Sequence, residues 1–332
     1  MIKIITYPQS LEHAHTLLEC SDCLLIGEDR FGLHLPSSFS RTEQAAILKT
    51  AQSCSKQVVI ALNGMFHNKD IEALAEYLQF LAENQVSAIQ IGDPGVLQVM
   101  RETGLMLPFI WDAGVLNTSA GNLNFWAERG AVAAVLAHEL PAEELRLIMK
   151  KVKIPTIIQI YGAFALHHSA RKLLTSYFSY LAMDQDKMED LSTRDILQSD
   201  PSLKDKKSGK NPLFIKPLAT PSTEGLAKQN YAIYEDLAGT HIFAHEDLNM
   251  LPYLEEIYRM GIYNWSLSSL FVEADQYTEI VGVFRQAADI LASSEILSEE
   301  LSRELNEKLR QLHPHNRKLG SAFYNINPQD IS

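Results

Sequence analysis

Two stretches of this sequence join histidine to glutamate, and a third sets paired histidines beside a basic pair. His138-Glu139-Leu140-Pro141-Ala142 and His245-Glu246-Asp247-Leu248-Asn249 both open like a zinc-binding H-E-x-x-H helix. Neither has a second histidine four residues on, so neither sets two ligands on one helical face. His167, His168, Ser169, Arg171 and Lys172 follow Tyr161 and could bind a phosphate or small anion. The plainer reading of His167-His168 is a helix start exposed to solvent. A divalent ion could sit on His34, His138, His167 or His245 beside Asp93 or Glu139, but no local spacing enforces such a set. No metal is therefore assigned, and His34 and His245 stay as residual candidates. The chain has neither a G-x-S-x-G elbow nor a phosphate-binding P-loop.

Three cysteines, Cys20, Cys23 and Cys54, are too few and too scattered for a disulfide framework. Cys20 ends an amphipathic pattern and Cys23 opens an apolar one. With no second C-x-x-C, both read as small apolar residues rather than zinc ligands. The 332 residues carry 41 acids against 29 bases, a formal charge of −12 that offers no general attraction to nucleic acid or anionic membrane. No apolar run approaches the roughly 18 residues of a membrane span. The amino terminus enters a strand without an apolar leader, which predicts a cytoplasmic protein.

The elements that must position these groups repeat about every 25 to 30 residues, the length of a strand and its covering helix. Apolar runs predict strands at Ile2–Thr6, Cys23–Ile26, Val58–Leu62, Ala88–Ile91, Pro108–Trp111, Ala133–Leu136 and Thr156–Ile160. Ser40 and Glu43 have capping-box spacing, and Pro141 with Glu143 and Glu144 marks another helix start. Ile71, Leu74, Ala75, Leu78 and Leu81 share one helical face. Residues 1–180 thus supply seven strands of a (β/α)8 TIM-barrel-like fold, and 181–212 form a charged insertion. Residues 213–292 return to the barrel, with the eighth strand at Gly239–Ala244, a helix over Leu248–Met260 and another apolar run at Ile262–Leu267. Residues 293–332 are a C-terminal helix and tail bearing a leucine stripe. A doubly wound sheet is the alternative, but Thr6-Tyr7-Pro8-Gln9 cannot form a dinucleotide loop.

In such a barrel the carboxyl ends of the strands carry the chemistry. Here they read Tyr7, Gly27-Glu28-Asp29, Asn63, Asp93, Asp112, His138-Glu139, Tyr161 and His245. Asn63, Asp93, His138 and Glu139 are the catalytic candidates, and Tyr161, His167, His168, Ser169, Arg171 and Lys172 the substrate- or anion-binding ones.

Over nearly the whole chain the order of these residues resembles the peptidase U32, or collagenase-like protease, family. The resemblance rests on Gly27, Asn63 with His67, Asp93-Pro94-Gly95, His138-Glu139-Leu140, Gly239-Thr240, Asp247-Leu248, Gly261-Ile262 and Tyr277 to Arg285. The family signature falls on Gly162-Ala163-Phe164-Ala165, Ser169-Ala170-Arg171-Lys172 and Leu173-Leu174. Its two cysteine positions are Ala165 and Lys172. In members that hydroxylate RNA bases or quinones such cysteines hold an iron–sulfur cluster, which requires thiolates. The resemblance therefore implies no cluster in this chain, and similarity to the short cysteine-poor paralogue that accompanies a longer member in tRNA wobble-uridine hydroxylation. It implies a larger cysteine-bearing paralogue as partner, tRNA reached through the complex, and a small anionic ligand such as prephenate, with a homo-oligomer left open. The family name implies a peptidase instead, and a barrel without chemistry, acting as a scaffold, is the third reading.

Overall fold

The computed structural model describes residues 1–183, 212–215, 231–294 and 296–327. The apolar runs form the strands they predict: β1 (Lys3–Thr6), β2 (Cys23–Ile26), β3 (Gln57–Leu62), β4 (Ala88–Ile91), β5 (Phe109–Trp111), β6 (Ala131–Val135) and β7 (Thr156–Gly162). All pair in parallel with their sequence neighbours. Helices α1 (Leu11–Cys20), α2 (Arg41–Ser53), α3 (Ile71–Glu83), α4 (Gly95–Thr103), α5 (Ala120–Ala127) and α6 (Ala142–Met149) alternate with them. Ser40 and Glu43 close the expected capping box on α2. Pro141 is the N-cap residue of α6, with Glu143 and Glu144 in its first turn. The α3 face packs through Leu74, Leu78 and Leu81, joined by Tyr77.

The eighth barrel strand is not Gly239–Ala244. The barrel closes through Asn264–Leu267, which pairs in parallel with both β1 and β7. Gly239–Phe243 lies instead in a four-stranded antiparallel sheet outside the barrel. That sheet runs from β8 (Ala165–Ser169) to Gly239–Phe243, then β10 (Tyr231–Asp236), then β9 (Leu213–Ile215). In chain order Gly239–Phe243 is β11, Glu246–Asn249 is β12 and the closing strand Asn264–Leu267 is β13. Sequence separated the two poorly, because both apolar runs have strand length; only pairing with β1 decides which one closes the barrel. The described residues 213–215 and 231–243 accordingly belong to the outer sheet and not to the barrel. Among the described residues, the chain rejoins it at β12, which adds antiparallel to the end of β7. Leu248 belongs to that strand, and the helix expected over Leu248–Met260 shortens to α8 (Leu254–Arg259). Most of the expected charged insertion, residues 184–211, lies outside the described residues.

His167 and His168 sit in the middle of β8 rather than at a helix start. The helix that follows, α7 (Leu173–Met183), is capped by Glu235, whose carboxylate accepts the amides of Leu174 (3.0 Å) and Thr175 (3.2 Å). A negative side chain there offsets the partial positive charge of the helix start.

The long helix α9 (Ala274–Ser294) packs on α1 and on α10 (Glu299–Leu312). Its Arg285 binds Asp22 and the Cys20 carbonyl, tying it to the first βα unit. On α10, Leu305 and Leu309 of the leucine stripe are buried. The chain then adds β14 (Lys318–Gly320) in parallel to β12. No helix among the described residues is long and apolar enough to cross a membrane.

Two contacts fix the junction at the end of β7. Gly162 has φ +93°, and a Cβ there would lie 2.3 Å from the Ser268 carbonyl oxygen, so only glycine fits. Tyr161, fully buried, donates to or accepts from His313 Nδ1 at 2.9 Å. Beside it Arg317 pairs with Asp247, Nε to Oδ1 at 2.8 Å, and donates to the Ala244 carbonyl. Both ions are buried, so each depends on the other for its solvation. Replacing Arg317 with alanine strands the Asp247 carboxylate. Urea denaturation is expected to show a loss of about 3–5 kcal/mol, and an unchanged midpoint would contradict this pairing.

Candidate functional site

Side chains alternate across a strand, so every second residue of each barrel strand points to the axis. Successive inward positions on this barrel start apolar and end polar. The interior cluster includes Ile5, Val59, Ala61, Ala88, Ile110 and Ile157. Two residues further along the same strands stand Tyr7 after Ile5, Asn63 after Ala61, Gln90 after Ala88, Asp112 after Ile110 and Gln159 after Ile157, with Ser266 on β13. These form a polar layer at the carboxyl ends of the strands.

Its centre is Asp112. Oδ2 accepts Gln90 Nε2 at 2.7 Å and Asn63 Nδ2 at 3.0 Å, while Oδ1 accepts the Gly114 amide at 3.2 Å. The Asn63 amide is oriented from the other end, because its Oδ1 accepts the Leu33 amide at 2.8 Å. Gly92 passes between these strands, and a Cβ there would meet the Asp112 carbonyl at 2.7 Å. Across the mouth the Tyr7 hydroxyl shares a 3.0 Å hydrogen bond with Ser266 Oγ. Burial, with Asp112 adding to it, pushes the Tyr7 phenol up to about 12, so it stays protonated as a donor.

Gln159 organises the remaining side. Its Nε2 shares its two protons among three successive carbonyls, Tyr161 (3.1 Å), Gly162 (3.2 Å) and Ala163 (3.1 Å). Oε1 therefore faces His138 Nε2, 2.8 Å away, and accepts its proton. This fixes the neutral imidazole as the Nε2–H tautomer and leaves the lone pair on Nδ1. Burial holds His138 below the usual histidine range. The group is thus a neutral hydrogen-bond acceptor or base at neutral pH.

A wall of rings from the antiparallel sheet stands over the mouth. His34, on the loop after β2, packs edge-on against His241 (5.1 Å) and Phe243 (5.5 Å). His34 has φ +58° and Phe271, which also packs on Phe243, has φ +67°. Two side chains held in the left-handed region by the same contact mark a strained seam. Next to His34, Leu35 is fully buried and seals the apolar interior beneath. Its approach depends on Gly27 and Gly32; a Cβ on Gly32 would lie 2.8 Å from Leu35 Cδ1.

The structure sorts the candidates from sequence into separate places. Asn63 and His138 lie in the polar layer. Asp93 does not: Oδ1 accepts the Gly95 amide (2.7 Å) and Oδ2 the Phe66 amide (3.0 Å), so both oxygens hold backbone. Glu139 is exposed. The anion-binding set does not converge. Tyr161 turns away into the C-terminal junction, and His167 is exposed on the sheet face opposite His168. His168 stacks on His241 at 4.7 Å and bonds the Ala238 carbonyl. Ser169 Oγ accepts the Arg171 amide, and the Arg171 and Lys172 side chains are exposed beside α7. His245 lies against Tyr231, and its Nε2 is 3.9 Å from Glu246. Sequence reading passed over Gln90, Gln159 and Ser266. Their signal was present as a polar residue at inward parity in the runs AIQI, TIIQIYG and NWSL.

The residues do not suit an iron–sulfur cluster. Such a cluster needs thiolates, and the signature positions offer Ala165 and Lys172. Of the cysteines, Cys23 faces the barrel interior, Cys20 ends α1 and Cys54 is exposed after α2. Among the described residues no group of three or more histidine, cysteine or acidic side chains could hold a metal ion. At the mouth, among the same residues, no hydroxyl or thiol is hydrogen-bonded to a histidine as an activated nucleophile would be.

The model of peptidase family U32 matches residues 9–332. The "tRNA hydroxylation protein P2" of Bacillus subtilis is 28% identical over 323 residues, covering 97% of each chain. "tRNA hydroxylation protein P" of Haemophilus influenzae is 21% identical, covering 85% of this chain and 66% of its own. "tRNA hydroxylation protein P1" of Bacillus subtilis is 26% identical over 48% of this chain and 38% of its own.

A histidine whose folded pKa lies below its ordinary value of 6.5 binds fewer protons folded than unfolded. Its contribution to stability is present above about 6.5 and is lost as pH falls toward the folded value. His138→Gln removes that share. The drop in urea midpoint from pH 7 to pH 5 is expected to be smaller in the variant, and identical pH dependence would contradict a neutral buried His138.

Proposed function

The chain belongs to peptidase family U32, and from that premise we propose that it is a cluster-lacking subunit in the hydroxylation of tRNA wobble uridine. The reaction is the prephenate-dependent route to 5-hydroxyuridine. The end-to-end correspondence with a relative named for tRNA hydroxylation carries this reading. Ala165 and Lys172, which stand where the resemblance expects thiolates, support a reading in which a larger cysteine-bearing paralogue carries the iron–sulfur cluster.

In this scheme the barrel mouth holds a small polar ligand. Asp112, fixed by Asn63 and Gln90, supplies a directed acceptor, and Tyr7 with Ser266 supplies hydroxyl donors. His138 Nδ1 is the base available to take a proton from that ligand. The exposed Arg171 and Lys172 suit a phosphate at the surface rather than a ligand in the mouth. With a formal charge of −12 the chain reaches tRNA through the complex, in the cytoplasm, rather than alone. Peptidase chemistry has less support, since no activated nucleophile stands at the mouth among the described residues.

Deleting the gene and measuring wobble 5-hydroxyuridine in total tRNA by mass spectrometry tests the proposal. The modification is expected to fall, with re-expression of the intact chain restoring it. Unchanged modification in the deletion strain would overturn the reading.

A further inference from the structure

The barrel is hollow at the end opposite the polar mouth. A cavity of about 250 Å³ lies on its axis, and each of the eight strands, or the residue just before it, contributes to the wall. Barrel interiors are ordinarily filled by layers of bulky branched side chains. Here Ile5, Ile110 and Ile157 are such residues, but Cys23, Ala88 and Ala133 are too small to meet them across the axis. The space equals about eight waters at roughly 30 Å³ each. Burial pushes the Cys23 thiol up to about 12, so it is a neutral part of an apolar wall.

The rim is polar and opens to solvent. It consists of Lys3, Gln57, Ser87 and Asn264, of which Lys3 and Gln57 are exposed. Among the described residues, Lys3 is the only charged residue lining the cavity. Its ammonium donates to Gln57 Oε1 at 3.1 Å, and an ammonium has three protons to give. Apolar walls under a single cation at the entrance match one kind of ligand in shape and charge.

We propose that this cavity binds a small apolar monocarboxylate, with its hydrocarbon body among the isoleucines and its carboxylate on Lys3 Nζ. The site is separate from the mouth. The inward residues Leu25, Ala61 and Val135 lie between the two, and Leu35 closes the interior from the mouth side. Binding here therefore does not depend on the function proposed above.

Hexanoate titrated calorimetrically into the full chain tests the assignment, with hexan-1-ol as the neutral probe. Saturable one-site hexanoate binding is expected, weakened roughly five- to ten-fold by Lys3→Gln and abolished by Ala133→Leu, which fills the space. Methyl NMR of the intact chain keeps the test independent of whether that variant folds. Hexanoate is expected to shift the Ile5, Ile110 and Ile157 methyls. Absence of saturable binding would overturn the proposal. So would hexan-1-ol binding as tight as hexanoate, binding unaltered by Lys3→Gln, or shifts confined to mouth residues such as Tyr7 and His138.

Discussion

The amide of Gln159 is the contact on which the mouth of this barrel depends. Strand β7 must end, turn and leave the barrel while the Tyr161 carbonyl still accepts the Ser268 amide at 2.9 Å and Gly162 still pairs with Leu248 of β12. One side-chain NH₂ adds a donor to three successive carbonyls there, those of Tyr161, Gly162 and Ala163. Because both amide protons are committed there, the oxygen must point at His138. The same group therefore stabilises the turn and selects the imidazole tautomer. Structure and chemistry are coupled at one residue.

The rest of the molecule holds that turn from outside. Gly162 allows the backbone to approach Ser268 closely, and β12 extends the ladder on β7. The C-terminal segment adds β14 and buries Arg317 against Asp247. A buried ion pair is weak evidence for net stability, but losing one partner is severe. It ties the tail to the barrel as one unit. Beyond the turn, β8 leads into the antiparallel sheet whose aromatic face covers the mouth. The strained residues His34 and Phe271 meet on Phe243, so the sheet is seated by loops from two different strands.

Much of the barrel was legible because parallel strands covered on both faces read as continuous apolar runs. Seven of the eight appear in sequence with bounds shifted by only a residue or two. The eighth was misplaced, since Gly239–Phe243 and Asn264–Leu267 are both short apolar runs and long-range pairing alone distinguishes them. Of the site, Asn63 and His138 were visible as residues leaving a strand. Asp93 was equally visible, yet its carboxylate holds backbone amides. Gln90, Gln159 and Ser266 were hidden inside strands, where parity along the run was the clue. The anion-binding residues are spread apart for the converse reason. Adjacent His167 and His168 look paired in sequence, but on a strand neighbours point to opposite faces.

The turn after β7 carries Ala165 and Lys172 rather than thiolates, and its geometry serves a polar layer centred on Asp112 and His138. The account stands on that layer being the working part of the chain. The most direct test is re-expression of an Asp112→Asn chain in the deletion strain, with wobble 5-hydroxyuridine measured by mass spectrometry and the variant's fold checked by its urea midpoint. The account predicts a folded protein that leaves most of the modification missing. Full restoration of 5-hydroxyuridine by the folded variant would contradict it.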